Sequence, residues 1–186
     1  MDFLTVLVFI FSGMYLVQAA SNPELCKDAK PHEVTLFKLT KAKTLEFQIA
    51  ESLDGAGGQA GRGLEIVIDP KRGNCLSCHQ ISSVEKLVDI DKPESKINYG
   101  YHGTIANSLD GVADKYTAGE LRLIVVDPKR AFPNQDSIMP SYHRIDGFIN
   151  VDPSCKGKSI LSAQDVEDVV AFLLQLKSDK PAVPGN

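Results

Sequence analysis

The chain has 186 residues and a formal net charge of −4, with a pI near 5.6. That length suits one ordinary domain with extensions. The acidic balance and the lack of a basic stripe argue against a nucleic-acid binder.

The N-terminus reads as a targeting segment. Residues 3–17 are almost wholly apolar, interrupted by Thr5, Ser12 and Gly13. A bilayer span needs about 20 such residues, so this run is short for one. It ends in Val17-Gln18-Ala19-Ala20, small residues that suit signal-peptidase cleavage after Ala19, although Asp2 stands where a basic residue is expected. An uncleaved membrane anchor is the alternative, and either way the domain is exported. The expected organisation is a signal peptide over 1–19, an N-terminal extension over 20–51, a main domain over 52–180 and a tail over 181–186. On this reading the protein is periplasmic.

The extension shows no strong periodicity. After a glycine-rich entry at 52–63, the sequence predicts a short apolar helix over Gly63–Ile68, stopped near Pro70, and a turn at Gly73-Asn74. Residues 80–111 read mostly as loop. Thr117 and Glu120 form a capping-box pattern ahead of Leu121, Ile124 and Val125, and Pro128 should end that helix. Ser162 and Asp165 repeat the pattern, with Leu161 and Val166 placed as a hydrophobic staple. Val166, Val169, Val170, Leu173 and Lys177 then follow helical spacing, and Lys180 and Pro181 should close the helix. Almost nothing reads as a hairpin. The expectation is a small all-α domain with long loops.

Cys75-Leu76-Ser77-Cys78-His79 is C-x-x-C-H, the attachment signature of c-type haem. Two thiols three positions apart can each join one vinyl group of the porphyrin, and the next residue then offers an imidazole to the iron. A redox C-x-x-C would need a βαβ setting, and no strand pattern surrounds it. A zinc site would need a second pair of ligands at close spacing, and Cys26 and Cys155 are each isolated.

The sixth ligand has one candidate thioether. Met1 and Met14 fall in the signal segment, leaving Met139 in Ser137-Ile138-Met139-Pro140. A residue before proline is extended, which frees it from helix constraints. His32, His102 and His143 are rivals, each read more readily as a surface or loop histidine, and His143 lies close enough to Met139 to raise a ligand switch. The other ring nitrogen of His79 needs an acceptor, for which a backbone carbonyl in the stretch 106–109 is the candidate. In an oxidising compartment Cys26 and Cys155 can form a disulfide. Its loop is so long that the chain-entropy model gives about 4–5 kcal/mol; two unrelated thiols are the alternative. Lys71, Arg72, Lys129 and Arg130 offer a docking patch for an acidic partner, against the plainer reading of a solvated face.

Five stretches together resemble the SoxX family: 63–68, Gly73-Asn74 with the haem motif, Leu109-Asp110-Gly111-Val112, Ile138-Met139-Pro140 and Gln164–Leu173. SoxX is the monohaem subunit of the SoxAX cytochrome of bacterial sulfur oxidation. The resemblance implies a class I cytochrome c fold, Met139 as distal ligand and a haem-bearing SoxA partner. It further implies a complex that oxidatively joins thiosulfate to a cysteine of the carrier SoxYZ. The catalytic haem then belongs to SoxA, and this chain relays electrons to a soluble acceptor and carries no catalytic residue. Such cytochromes usually have Gly-Pro where this chain has Ala106-Asn107, which leaves the carbonyl behind His79 less rigidly placed. A free-standing class I cytochrome c shuttle is the other reading. The long extension, which could wrap a partner or cover the fold itself, speaks to the difference.

Overall fold

A computed structural model describes residues 34–85, 103, 105–147 and 151–178. Its elements run β1 (Leu39–Lys41), β2 (Phe47–Ile49), α1 (Ala60–Ile68), a 3-10 turn (Cys75–Ser77), α2 (Ser82–Glu85), α3 (Val112–Lys115), α4 (Ala118–Val126), α5 (Pro128–Ala131), a second 3-10 turn (Pro153–Cys155) and α6 (Ala163–Leu173). The signal segment, His32, His102, Cys26 and Lys180-Pro181 lie outside the described residues.

The frame is α1 crossed on α6. From α6, Val166, Val169, Val170 and Phe172 are buried, and α1 contributes Ile66 and Val67. Fully burying such a side chain stabilises by about 1.5–3 kcal/mol. The crossing is close because α1 carries Gly63 at the contact: a Cβ there would stand 2.0 Å from the Asp168 carbonyl oxygen. Asp168 also receives the Gln59 N–H at 2.7 Å and the Arg62 guanidinium at 2.7 Å, so α6 caps the start of α1.

Both capping boxes form. Thr117 Oγ1 accepts the Glu120 N–H while Glu120 Oε2 accepts the Thr117 N–H. Ser162 and Asp165 do the same for α6, with Leu161 and Val166 buried beside them. α4 stops at Val126, and Pro128 sits in the first turn of α5, which Asp127 caps. α6 ends at Leu173, so Lys177 lies beyond the helix.

The hairpin differs from the expectation. β1 and β2 pair antiparallel with Leu39 opposite Ile49 and Lys41 opposite Phe47. Each strand is three residues long, too short to show alternation in sequence. The hairpin packs on α4 of the same chain, and buried ionic groups hold it there. Glu120 Oε1 accepts the Leu45 N–H at 2.7 Å and the Thr44 N–H at 2.5 Å. Arg122 bonds Glu167 through two nitrogens at 2.7 and 2.8 Å and donates to the Ile49 carbonyl at 2.7 Å. Glu167 Oε1 also accepts the Leu53 N–H at 3.0 Å. Residues 34–53 therefore cover the fold itself.

Candidate haem site

The turn that carries the three motif residues is built from backbone hydrogen bonds. The Gly73 N–H donates to Ile66 O at 3.1 Å and the Asn74 N–H to Asp69 O at 2.9 Å. Asn74 takes a left-handed conformation, φ 50°, which asparagine tolerates better than most residues. The chain then winds through the 3-10 turn, with the His79 N–H on Cys75 O at 2.9 Å. Cys75, Cys78 and His79 are all half-buried, and both cysteines are free thiols.

A second strand of chain lies alongside this turn. The Gly103 N–H donates to Leu76 O, the Ala106 N–H to Cys78 O and the Leu109 N–H to Gln80 O, all at 2.9–3.0 Å. Gly103 permits the approach, since a Cβ there would fall 1.9 Å from Ser77 O. The same alignment puts the Asn107 carbonyl oxygen 2.7 Å from His79 Nδ1. A carbonyl only accepts, so Nδ1 carries the proton and donates. Nε2 keeps its lone pair for a metal. The acceptor thus lies in the stretch the sequence indicated, and it is a carbonyl that does not depend on proline.

Burial pushes the Cys75 thiol up to about 12, against the opposing pull of its hydrogen bond with Tyr142. Among the described residues no group of three or more His, Cys, Asp or Glu is arranged to hold a metal ion.

Met139 lies on the irregular segment after α5. It is half-buried, packs on the margin of the core, and donates its N–H to Ser137 Oγ at 3.3 Å. It lines a cleft of about 590 Å³ together with Asp127, Arg130 and Arg144. The segment is brought to the motif three residues later, where the Tyr142 hydroxyl donates to the Gly73 carbonyl at 2.7 Å. His143 lies in a turn, as a loop histidine would, but not at the surface. It is fully buried, and both its ring nitrogens are bonded within the protein. Of the basic residues weighed as a docking patch, Arg72 pairs with Asp165 at 2.6 Å and Arg130 lies 3.8 Å from Asp127, while Lys71 and Lys129 are exposed.

With this geometry in place, comparison with known proteins decides the family. The cytochrome c family model matches residues 62–177. The chain belongs to the cytochrome c family. This cytochrome also resembles a chain in the crystal structure of SoxXA from P. pantotrophus: 36% identical, TM-score 0.57, covering 70% of this chain and 90% of that one. No curated protein matches it. It is thus a SoxX-type cytochrome subunit with a class I cytochrome c-like fold and covalently bound haem c. Cys155 is disulfide-bonded, and its candidate partner Cys26 lies outside the described residues. Among the described residues no helix is long and apolar enough to cross a membrane.

Proposed function

We propose that this cytochrome is the monohaem electron-transfer subunit of a SoxXA-type complex, partnered by a haem-bearing SoxA-type cytochrome. The observation that carries this reading is the 36% identity to a SoxXA chain over 90% of that chain's length.

Cys75 and Cys78 would hold the haem by thioether bonds, with His79 Nε2 and the Met139 sulfur on the iron. The bound group supplies one-electron redox chemistry; the residues set its conditions. Asn107 O fixes the tautomer and orientation of His79. A His/Met pair raises the reduction potential, which suits a subunit that accepts electrons. In the complex, thiosulfate is joined to a carrier-protein cysteine of the SoxYZ type. Forming that sulfur–sulfur bond releases a proton and two electrons, which this subunit passes singly to a soluble acceptor. The catalytic centre belongs to the partner. The protein acts in the periplasm after cleavage behind Ala19, with Cys26 bonded to Cys155.

One observation favours the free-shuttle reading. Residues 34–53 are engaged with this chain's own α4 and α6, so that part of the extension does not stand ready to wrap a partner. Gentle purification of the tagged protein from its native periplasm, followed by a denaturing gel stained for covalent haem, separates the two. A second haem band identified as a SoxA-type cytochrome is expected. A single haem band at this chain's own mass, obtained at low salt, overturns the complex in favour of the shuttle.

A further inference from the structure

Within four positions after Met139 stand two side chains with no assigned role at the iron, and both are buried: Tyr142 is 7% exposed and His143 0%. Buried phenol and imidazole groups need partners for their polar atoms. These two residues find theirs on four separate segments. The Tyr142 N–H donates to Val125 O of α4 at 3.1 Å, and its hydroxyl donates to Gly73 O at 2.7 Å, two residues before Cys75. The Leu161 N–H donates to Tyr142 O at 2.8 Å. His143 Nε2 accepts the Thr35 N–H at 3.1 Å; Nδ1 therefore carries the proton and donates to Leu161 O at 2.9 Å.

We propose that Tyr142 and His143 are positioning residues that clasp the Met139 segment against the turn carrying Cys75, and that the N-terminal segment at Thr35 is one arm of this clasp. Only Pro140 and Ser141 intervene, so the Met139 Cα is tethered within roughly 11 Å of the Tyr142 Cα. The thioether's other restraints are its packing on the core margin and the ion pairs of Arg144 further along the segment; the Met139 N–H is spent on Ser137, and the neighbouring Ile138 is 78% exposed. Displacing Thr35 then loosens thioether ligation from a distance, although residue 35 lies nowhere near the haem motif in sequence. The inference rests on the reading of Met139 as axial ligand. It also assigns His143 a structural partner on each nitrogen, in place of a ligand switch.

The test uses the full-length holoprotein matured in a host that assembles c-type cytochromes. Three quantities are read: the thioether-to-iron charge-transfer band of the ferric form, the midpoint potential, and the affinity for added imidazole, which competes for the sixth position. His143→Ala, Tyr142→Phe and Thr35→Pro each remove one arm. Each should bind imidazole about tenfold more tightly, the factor that corresponds to one lost buried hydrogen bond, with a weakened band and a lowered potential. His143→Gln, which keeps one donor and one acceptor, should recover part of the loss. If His143→Ala yields no holoprotein, Tyr142→Phe and Thr35→Pro decide. Wild-type imidazole affinity and potential in both overturns the clasp. A wild-type band that is absent, with a spectrum unchanged by Met139→Ala, overturns the ligand reading itself and the clasp with it.

Discussion

The two sides of the candidate haem site are held by different means. The Cys75–His79 turn is fixed almost wholly by main-chain hydrogen bonds, locally through Ile66 O, Asp69 O and Cys75 O, and laterally through the chain at 103–109. The Met139 segment leans more on side chains, those of Tyr142, His143, and Arg144 on Asp127 and Asp146, beside the main-chain bonds of Tyr142 with Val125 and Leu161. Main-chain bonding tolerates side-chain exchange but not a change in how closely two backbones approach. Side-chain bonding tolerates the reverse. On the proposed ligation, the His79 imidazole would keep its place while the Met139 thioether stays adjustable, a division suited to a cytochrome whose potential depends on its sixth ligand.

The largest effect should come from breaking the main-chain side at its narrowest point. Gly103→Ala places a methyl 1.9 Å from Ser77 O and 2.6 Å from the Cys78 Cα, contacts that no rotamer relieves. The two strands must separate, which would remove the bonds to Leu76 O and Cys78 O and carry Asn107 O away from His79. A loss of about 3 kcal/mol or more is expected, measured by denaturant unfolding of the holoprotein. The same substitution at Gly147, where a Cβ meets nothing within 4 Å, lies beside the Met139 cleft and tests backbone conformation alone, because Gly147 has φ 82°. It should cost about 1 kcal/mol. Equal losses at the two positions would erase the distinction between the sides.

Acid tests whether the two sides give way together. Arg144 holds the Asp146 carboxyl below its usual range. Burial opposes the charge of Glu120, yet the N–H groups of Thr117, Leu45 and Thr44 outweigh it and hold that carboxyl low as well. Glu120 heads α4, whose Val125 O receives the Tyr142 N–H. A carboxylate depressed in the folded state contributes stability above its unfolded value, about 3.9 for Asp and 4.3 for Glu, and loses it as pH falls through the lower folded value. Burial between α1 and α6 opposes the charge of Asp168, yet Arg62 and the Gln59 N–H hold that carboxyl low, and it gives way in the same range. Titration from about pH 5 downward should therefore weaken the thioether band and helical ellipticity together. Loss of the band alone would mean that the distal side melts by itself.

What could be read from sequence follows the same division. The haem turn, both capping boxes and the staple at Leu161 and Val166 are local patterns, and each formed where its residues stand. The clasp was not legible, because the partners of Tyr142 and His143 lie as far as 108 residues away and a histidine in a loop gives no sign of burial. Arg122 and Glu167 were hidden for a related reason. Each sits on a helix among apolar neighbours, and only the packing of α4 on α6 turns two charges into a buried pair. The one available hint was the run Val166-Glu167-Asp168-Val169-Val170, where the apolar stripe is too broad to leave both acids in water.

The smallest expected effect is the sharpest test of main-chain control. Asn107 stands where related cytochromes carry proline, and its contribution to His79 is the carbonyl at 2.7 Å, not the amide side chain. Asn107→Ala keeps that carbonyl and should change stability by no more than about 0.5 kcal/mol, with the midpoint potential and imidazole affinity of the holoprotein unchanged. A marked fall in potential would instead place the asparagine side chain in the mechanism that orients His79. The proximal side would then depend on side chains as the distal side does, and the contrast between them would fail at the residue where it was most exposed.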